Sequence, residues 1–216
     1  MDTVFLSHLA HDSQVISSEF VPYAIACILS HLLAHSKHPF DARLFVYPGK
    51  FAKAFREVRP SVAAFSNYMW NLDLSYSFAE AVKKEYPDTL VIFGGPNLPL
   101  ETRRQEAWLR ARPAVDVYLA GEAEQPFLEV MELWRQCHSI EEVRRACING
   151  SYALADGRLR KTVGVRQDGF DDTPRVQDLD ATPSPYLMGY LDEFLQDPAL
   201  VPIMEGNRGC PFACTF

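Results

Sequence analysis

"TLVIFGGPN", residues 89–97, decides the fold. Thr89 to Phe93 is an unbroken run of β-branched and apolar residues that ends at Gly94-Gly95-Pro96. A strand that is apolar at every position, rather than at alternate ones, is covered on both faces, as in a parallel sheet between two layers of helices. Similar runs recur outward from it at "TVFLS" (3–7), "ARLFVYP" (42–48), "SVAAFS" (61–66) and "VDVYLAG" (115–121). Helical spacing fills the gaps. Phe20, Ala24, Cys27, Ile28 and Leu32 predict a helix over about 19–34, capped by Ser18. Others are expected at 50–58, around Ala79, Val82 and Tyr86, over about 100–111, and around Leu128, Met131 and Trp134. Ser139 with Glu142 forms a capping box for one more. The alternation predicts an α/β, doubly wound parallel sheet of Rossmann or flavodoxin-like type.

After Cys147 the pattern changes. "INGSYALADGRLRKT" alternates about Asp156-Gly157, a hairpin signal. Residues 164–200 are rich in Asp and Pro and read as a linker, and "ALVPIME" (199–205) is strand-like again. The chain of 216 residues carries 21 basic and 28 acidic side chains, a net charge of −7, which excludes a general nucleic-acid binder. No run reaches the ~20 apolar residues of a membrane span. Met1-Asp2 leads straight into a strand, with no signal peptide, and five cysteines make no disulfide framework, so a cytoplasmic protein is expected.

In open parallel sheets ligands bind beyond the carboxyl ends of the strands, where the strand order switches. Those ends supply the candidate cofactor-binding residues Ser7 and His8, then Ser66, Asn67 and Tyr68, then Gly94, Gly95 and Pro96, then Gly121 and Glu122. "SNYMWN" offers small polar groups and two flat rings suited to a large planar ligand, and the glycines let backbone approach it. Each has a plainer reading: Gly-Gly-Pro as a turn, Tyr68 and Trp70 as covers of the sheet end, Glu122 as a helix cap. No G-x-G-x-x-G follows the first strand and no P-loop occurs, which disfavours dinucleotide and nucleotide sites.

The chain closes on "NRGCPFACTF" (207–216), with Cys210 and Cys214 at the first spacing of C-x-x-x-C-x-x-C. Taken alone, the pair is also compatible with a zinc knuckle or two inert thiols. Together with "GEAEQPFLEV", the Asp-Gly hairpin and "TPSPYLMGYLDEFL", it resembles class B radical S-adenosylmethionine (radical SAM) proteins, over essentially the whole chain. The resemblance implies a cobalamin-binding Rossmann-like domain at 1–147, a hairpin and linker at 148–200, and the first strand of a β/α barrel at 201–216. It makes Cys210 and Cys214 metal ligands, two of three thiolates on a [4Fe–4S] cluster whose open iron takes S-adenosylmethionine. It also implies a small-molecule substrate in the rest of the barrel, an electron donor for the cluster, and a chain that is catalytically incomplete by itself. His8, His11 and Asp12 do not form the D-x-H-x-x-G of classical cobalamin domains. Any bound cobalamin is therefore expected to lack a histidine ligand, with Tyr68 shielding its lower face. The alternatives are a cofactor-free module that supports the barrel or a partner, and a non-catalytic sensor of a flat ligand.

Overall fold

The structure, a computed structural model, describes residues 1–11, 19–146, 148–165, 171–173 and 175–208. Five parallel strands form its centre: β1 (Asp2–Ser7), β3 (Phe40–Phe45), β4 (Val62–Ser66), β5 (Leu90–Gly94) and β6 (Val117–Leu119). β2 (Glu19–Phe20) lies outside that sheet. The order β3-β1-β4-β5-β6 is the flavodoxin-like one, because the second and third parallel strands of the chain flank the first. The switch point therefore lies between β1 and β4.

The two faces carry different helices. Val4 and Leu6 of β1, Ile92 of β5 and Val117 and Leu119 of β6 pack against α1 (Tyr23–His35) and α5 (Glu124–Cys137). Phe5, Phe65, Phe93 and Tyr118 point the other way, against α2 (Pro48–Glu57), α3 (Leu72–Glu85) and α4 (Thr102–Arg110). Phe51 of α2 is fully buried and meets Phe5, Phe45, Phe65 and Phe78 with ring centroids 5.1–5.6 Å apart. Such ring pairs add roughly 0.5–1.5 kcal/mol each beyond their area. Burial on both faces is what the unbroken apolar runs require.

Two sequence expectations shift. The first helix begins at Tyr23 rather than near residue 19, with Pro22 at its N-cap. The residue before a proline is driven out of the helical region, so Val21 cannot continue a helix from upstream. Glu19 and Phe20 are extended instead, and Ser18, the expected cap, lies outside the described residues. The hairpin at Asp156-Gly157 does not stand apart from the first domain. β7 (Ser151–Ala155) pairs antiparallel with β6, and β8 (Arg158–Lys161) with β7, so the sheet runs to seven strands. Both turn residues have positive φ, 51° and 72°, as a type I′ turn demands. α6 (Ile140–Arg145) starts as expected, with the Glu142 N–H donating to Ser139 Oγ.

Beyond the hairpin, β9 (Gly164–Val165) and β10 (Asp171–Asp172) form a small antiparallel pair. The chain then runs over α1. Ser30 Oγ donates to the Pro183 carbonyl, His31 Nδ1 lies 2.9 Å from Thr182 Oγ1, and Leu191 and Phe194 of the segment around α7 (Asp192–Leu195) are buried in the α1/α5 core. β11 (Leu200–Val201) pairs in parallel with β2. Among the described residues no helix is long and apolar enough to cross a membrane.

The amino end of the sheet is held by charge. Asp116, fully buried, accepts from the Val91 N–H and lies 2.6 Å from both Lys83 Nζ of α3 and Arg144 Nη2 of α6. Removing one member of a buried charge cluster leaves its partners uncompensated, at a cost of about 3–5 kcal/mol. Asp116→Ala should lower the unfolding free energy by that amount in urea titrations at neutral pH; a loss below about 1 kcal/mol would show that the cluster is solvated.

Candidate functional site

The carboxyl ends of β1, β4, β5 and β6 open onto a cleft of about 1070 Å³, above the ~300–1,000 Å³ of ordinary small-molecule sites. His8, Ser66, Tyr68, Gly94, Gly95, Pro96, Gly121 and Glu122 line it, so most of the strand-end residues singled out in the sequence meet in one place. Ser7 and Asn67 do not reach it. Ser7 is fully buried, its hydroxyl without a hydrogen-bond partner among the described residues, and Asn67 sits behind the floor. Asn67 Nδ2 donates to Tyr118 Oη, which donates to the Gly95 carbonyl at 2.8 Å, while Asn67 Oδ1 accepts from Asn97. Asn67 therefore fixes the loops that bear the cleft.

Gly95 is needed for the same reason. Its φ is +127°, and a Cβ there would stand 2.7 Å from the Asn67 carbonyl oxygen. The bare backbone is required by the neighbouring loop, whose Asn67 N–H donates to the Gly94 carbonyl, and not by space left for a ligand. Asn71, which the sequence did not mark, ties the next corner: its side chain accepts from Tyr68 N–H and donates to the Leu9 carbonyl and Ser66 Oγ.

His8 lies at the switch point. Its Nδ1 is 2.9 Å from Ser66 Oγ, and its ring meets Tyr68 and Trp70 edge-on at 5.6 and 5.3 Å while those two rings stack on each other. Burial pushes the imidazole down to about 4, so it is neutral at physiological pH. Ser66 Oγ also accepts from Asn71 Nδ2, so His8, Ser66 and Asn71 form one hydrogen-bonded chain at the switch point. His11 is exposed, at the edge of the described residues.

The wall opposite the floor was not legible in the sequence. It comprises Pro22, Tyr23 and Ile28 from the start of α1, and Ile203 to Arg208 from the segment after β11. The Tyr23 and Tyr186 rings stack at 5.7 Å, and Tyr186 Oη donates to the Ile203 carbonyl. Burial raises the Cys27 thiol to about 11, which leaves it an inert core group. Glu122 does not cap α5, whose N-cap is Ala123. It accepts from Val176 N–H and faces Arg175 and Arg208. Cys210 and Cys214 lie outside the described residues, as does Cys147. Among the described residues no cluster of His, Cys, Asp or Glu has the form of a metal site.

No family model matches the chain. Several proteins with a named activity do, two of them at 30% identity or more. One is the cobalamin-dependent radical SAM methyltransferase TokK of Streptomyces tokunonensis, 32% identical over 166 residues, 74% of this chain and 22% of that protein. The other is the 2-(S-pantetheinyl)-carbapenam-3-carboxylate methyltransferase of Streptantibioticus cattleyicolor, 30% identical over 189 residues, 83% of this chain and 25% of that one. The chain is a homologue of cobalamin-dependent radical SAM methyltransferases. It spans about a quarter of their length. Among solved structures, the cobalamin-dependent S-adenosylmethionine radical enzyme OxsB with aqua-cobalamin and S-adenosylmethionine bound superposes with a TM-score of 0.64 at 13% identity. That match covers 90% of this chain and 25% of OxsB, and it bears out the Rossmann-like fold.

The neutral His8 has a measurable consequence. An imidazole that titrates near 6.5 in the unfolded chain and near 4 in the fold makes the unfolded state the better proton binder between those values. Its contribution is complete above pH 6.5 and declines as pH falls towards 4, by roughly 3 kcal/mol in full. The urea midpoint of wild type should fall over this window, and His8→Asn should flatten the decline. His31, also depressed by burial, contributes in the same direction, so the difference between the two proteins is the readout. Equal slopes would show that His8 titrates normally.

Proposed function

We propose that this chain is the cobalamin-binding part of a radical S-adenosylmethionine enzyme that transfers a methyl group to a small-molecule substrate. The carrying observation is the cleft: about 1070 Å³ at the switch point, floored by bare glycine turns, with stacked Tyr68 and Trp70 on one side and Tyr23 on another. A wide, largely apolar space with polar groups in its lining suits a corrin better than a phosphate ligand, and the cobalamin dependence of TokK favours the same group. Bound there, cobalamin supplies a cobalt-held methyl group.

The chain's own residues bind and orient. The Asn67–Tyr118–Gly95 hydrogen bonds keep the floor rigid, and Asn71 holds Ser66 and the Leu9 carbonyl in register. Tyr68 and Trp70 exclude water from one side, while the aliphatic surface of Pro22 and Ile28 does so from the other. Cys210 and Cys214 would provide two thiolates to an iron–sulfur cluster, for which an electron donor is required. A cytoplasmic setting follows from that thiol chemistry.

Two measurements test this. The purified chain should retain about one hydroxocobalamin through desalting, read from its visible absorbance. Ala24, exposed on the first turn of α1, lines the cleft; Ala24→Trp should cut retention at least about tenfold while leaving stability within about 0.5 kcal/mol, as surface changes usually do. A wild-type chain that retains none would favour a cofactor-free module supporting a catalytic partner.

The second concerns the cobalt. His8 is not set in a D-x-H-x-x-G, and its ring lies edge-on to Tyr68 and Trp70, so we take the imidazole as part of the cleft lining and not as a ligand. The cob(II)alamin complex should therefore show an electron paramagnetic resonance spectrum without nitrogen splitting from the protein. Nitrogen triplets that vanish in His8→Ala would overturn this.

A further inference from the structure

Tyr118 is fully buried and does not line the cleft, yet its hydroxyl is bonded to the floor from behind. β6 pairs with β5 in the register Phe93↔Tyr118, and the Tyr118 ring stands edge-on to Trp108 at 5.3 Å. That packing carries Oη to the loop that follows β5. There it donates to the Gly95 carbonyl at 2.8 Å and accepts from Asn67 Nδ2 at 3.1 Å, and the backbone N–H groups of Asn97 and Leu98 face the same oxygen. Burial holds the phenol above its ordinary value, so it keeps the proton that it gives to Gly95.

Residues 95–101, between β5 and α4, belong to neither strand nor helix. Among the described residues, the hydrogen bonds of 95–98 run to two side chains, Tyr118 and Asn67, and Asn67 is itself held by Tyr118. Gly95 and Pro96 of this loop line the cleft. One oxygen is therefore the template on which that part of the floor is laid. Without it a carbonyl, an amide and two N–H groups would lose a partner together, and buried polar groups left unpaired are costly. The loop could regain those bonds from water only by leaving its place.

On the reading of the cleft as a corrin site, we propose that Tyr118 is a positioning residue for the cofactor. Its hydroxyl holds residues 95–98 in the arrangement that receives the corrin, and so sets how tightly the corrin is retained without touching it. Asn67 acts through the same oxygen. Where the loop has other arrangements open to it, apparent affinity falls by the fraction of chains that hold the competent one. Ser66, Asn71 and His8 bond to each other independently of Tyr118, so the loss is confined to the Gly95 loop.

The test pairs absorbance titration with hydroxocobalamin and hydrogen exchange of the Asn97 and Leu98 amides, read by nuclear magnetic resonance. Tyr118→Phe keeps the ring and its packing and removes only the oxygen. It should raise the Kd about tenfold, as when the competent loop falls to about a tenth of the population. Without corrin, the two amides should exchange about tenfold faster than in wild type, and bound corrin should slow them again. Asn67→Ala should weaken binding too, and the double variant should bind no more weakly than the weaker single one, because both act through one oxygen. Asp116→Ala and Asp2→Asn remove charge contacts at the amino edge; they should lower stability yet keep wild-type affinity and exchange, and either serves if the other does not fold. Wild-type affinity or wild-type exchange in Tyr118→Phe would overturn the proposal. So would effects that multiply in the double variant, or equal weakening by the amino-edge variants, which would trace the loss to stability and not to the loop. A wild-type chain that retains no corrin defeats the proposed function, while its corrin-free exchange rates still judge the hold of Tyr118 on the loop. Retained corrin with uniform affinity and exchange defeats the Tyr118 proposal alone.

Discussion

A strand covered by helices on both faces has nowhere to put a polar side chain except at its ends. In this protein that constraint acts on five parallel strands at once, and it sorts the molecule into two edges. The amino edge takes structural charge: Asp116 between Lys83 and Arg144, and Asp2 with Arg135 at 2.7 Å. At the carboxyl edge the floor takes neutral polar groups, Ser66, Asn67, Asn71 and His8, bonded to one another and to backbone, while the charges of Glu122, Glu124 and Arg208 pair with each other beside it. The floor itself is thus built from glycine turns, hydroxyls, amides and rings.

The floor is rigid because its loops satisfy each other. The two strand-end loops after β4 and β5 are linked to each other and to β6 through Asn67, Tyr118 and the Gly94 and Gly95 carbonyls, with a backbone approach too close for any side chain at Gly95. A site whose loops are cross-braced in this way meets a large ligand with little reorganisation, which is where binding free energy is otherwise lost.

Much of the sheet was legible because its signal is local. Runs such as "TLVIFGG" contain every residue needed to recognise a buried strand, and Asp156-Gly157 states its own turn. Pro22 marks where the first helix can begin, while the apolar spacing runs on across it towards Phe20. The cleft floor was legible as a set of loops, since strand ends in a parallel sheet point to one side. Within those loops the roles were not, because Asn67 faces inward to Tyr118, a partner some 50 residues on, and nothing beside Asn67 signals it. The far wall was not legible at all. β2 and β11 are two residues each, and the carboxylates of Glu122 and Glu124 find Arg208 only through tertiary structure.

That pairing of β11 with β2 has a consequence for the order of assembly. It joins stretches about 180 residues apart, so its closure entropy is the largest that any strand contact here must overcome. Contacts of such high sequence separation form late, once nearer pairings have reduced the effective length of the intervening chain. The sheet and the cleft floor can thus mature as the chain emerges during synthesis, while the Ile203–Arg208 wall waits for the linker to wrap over α1. Until then the floor stands without the wall formed by Ile203–Arg208.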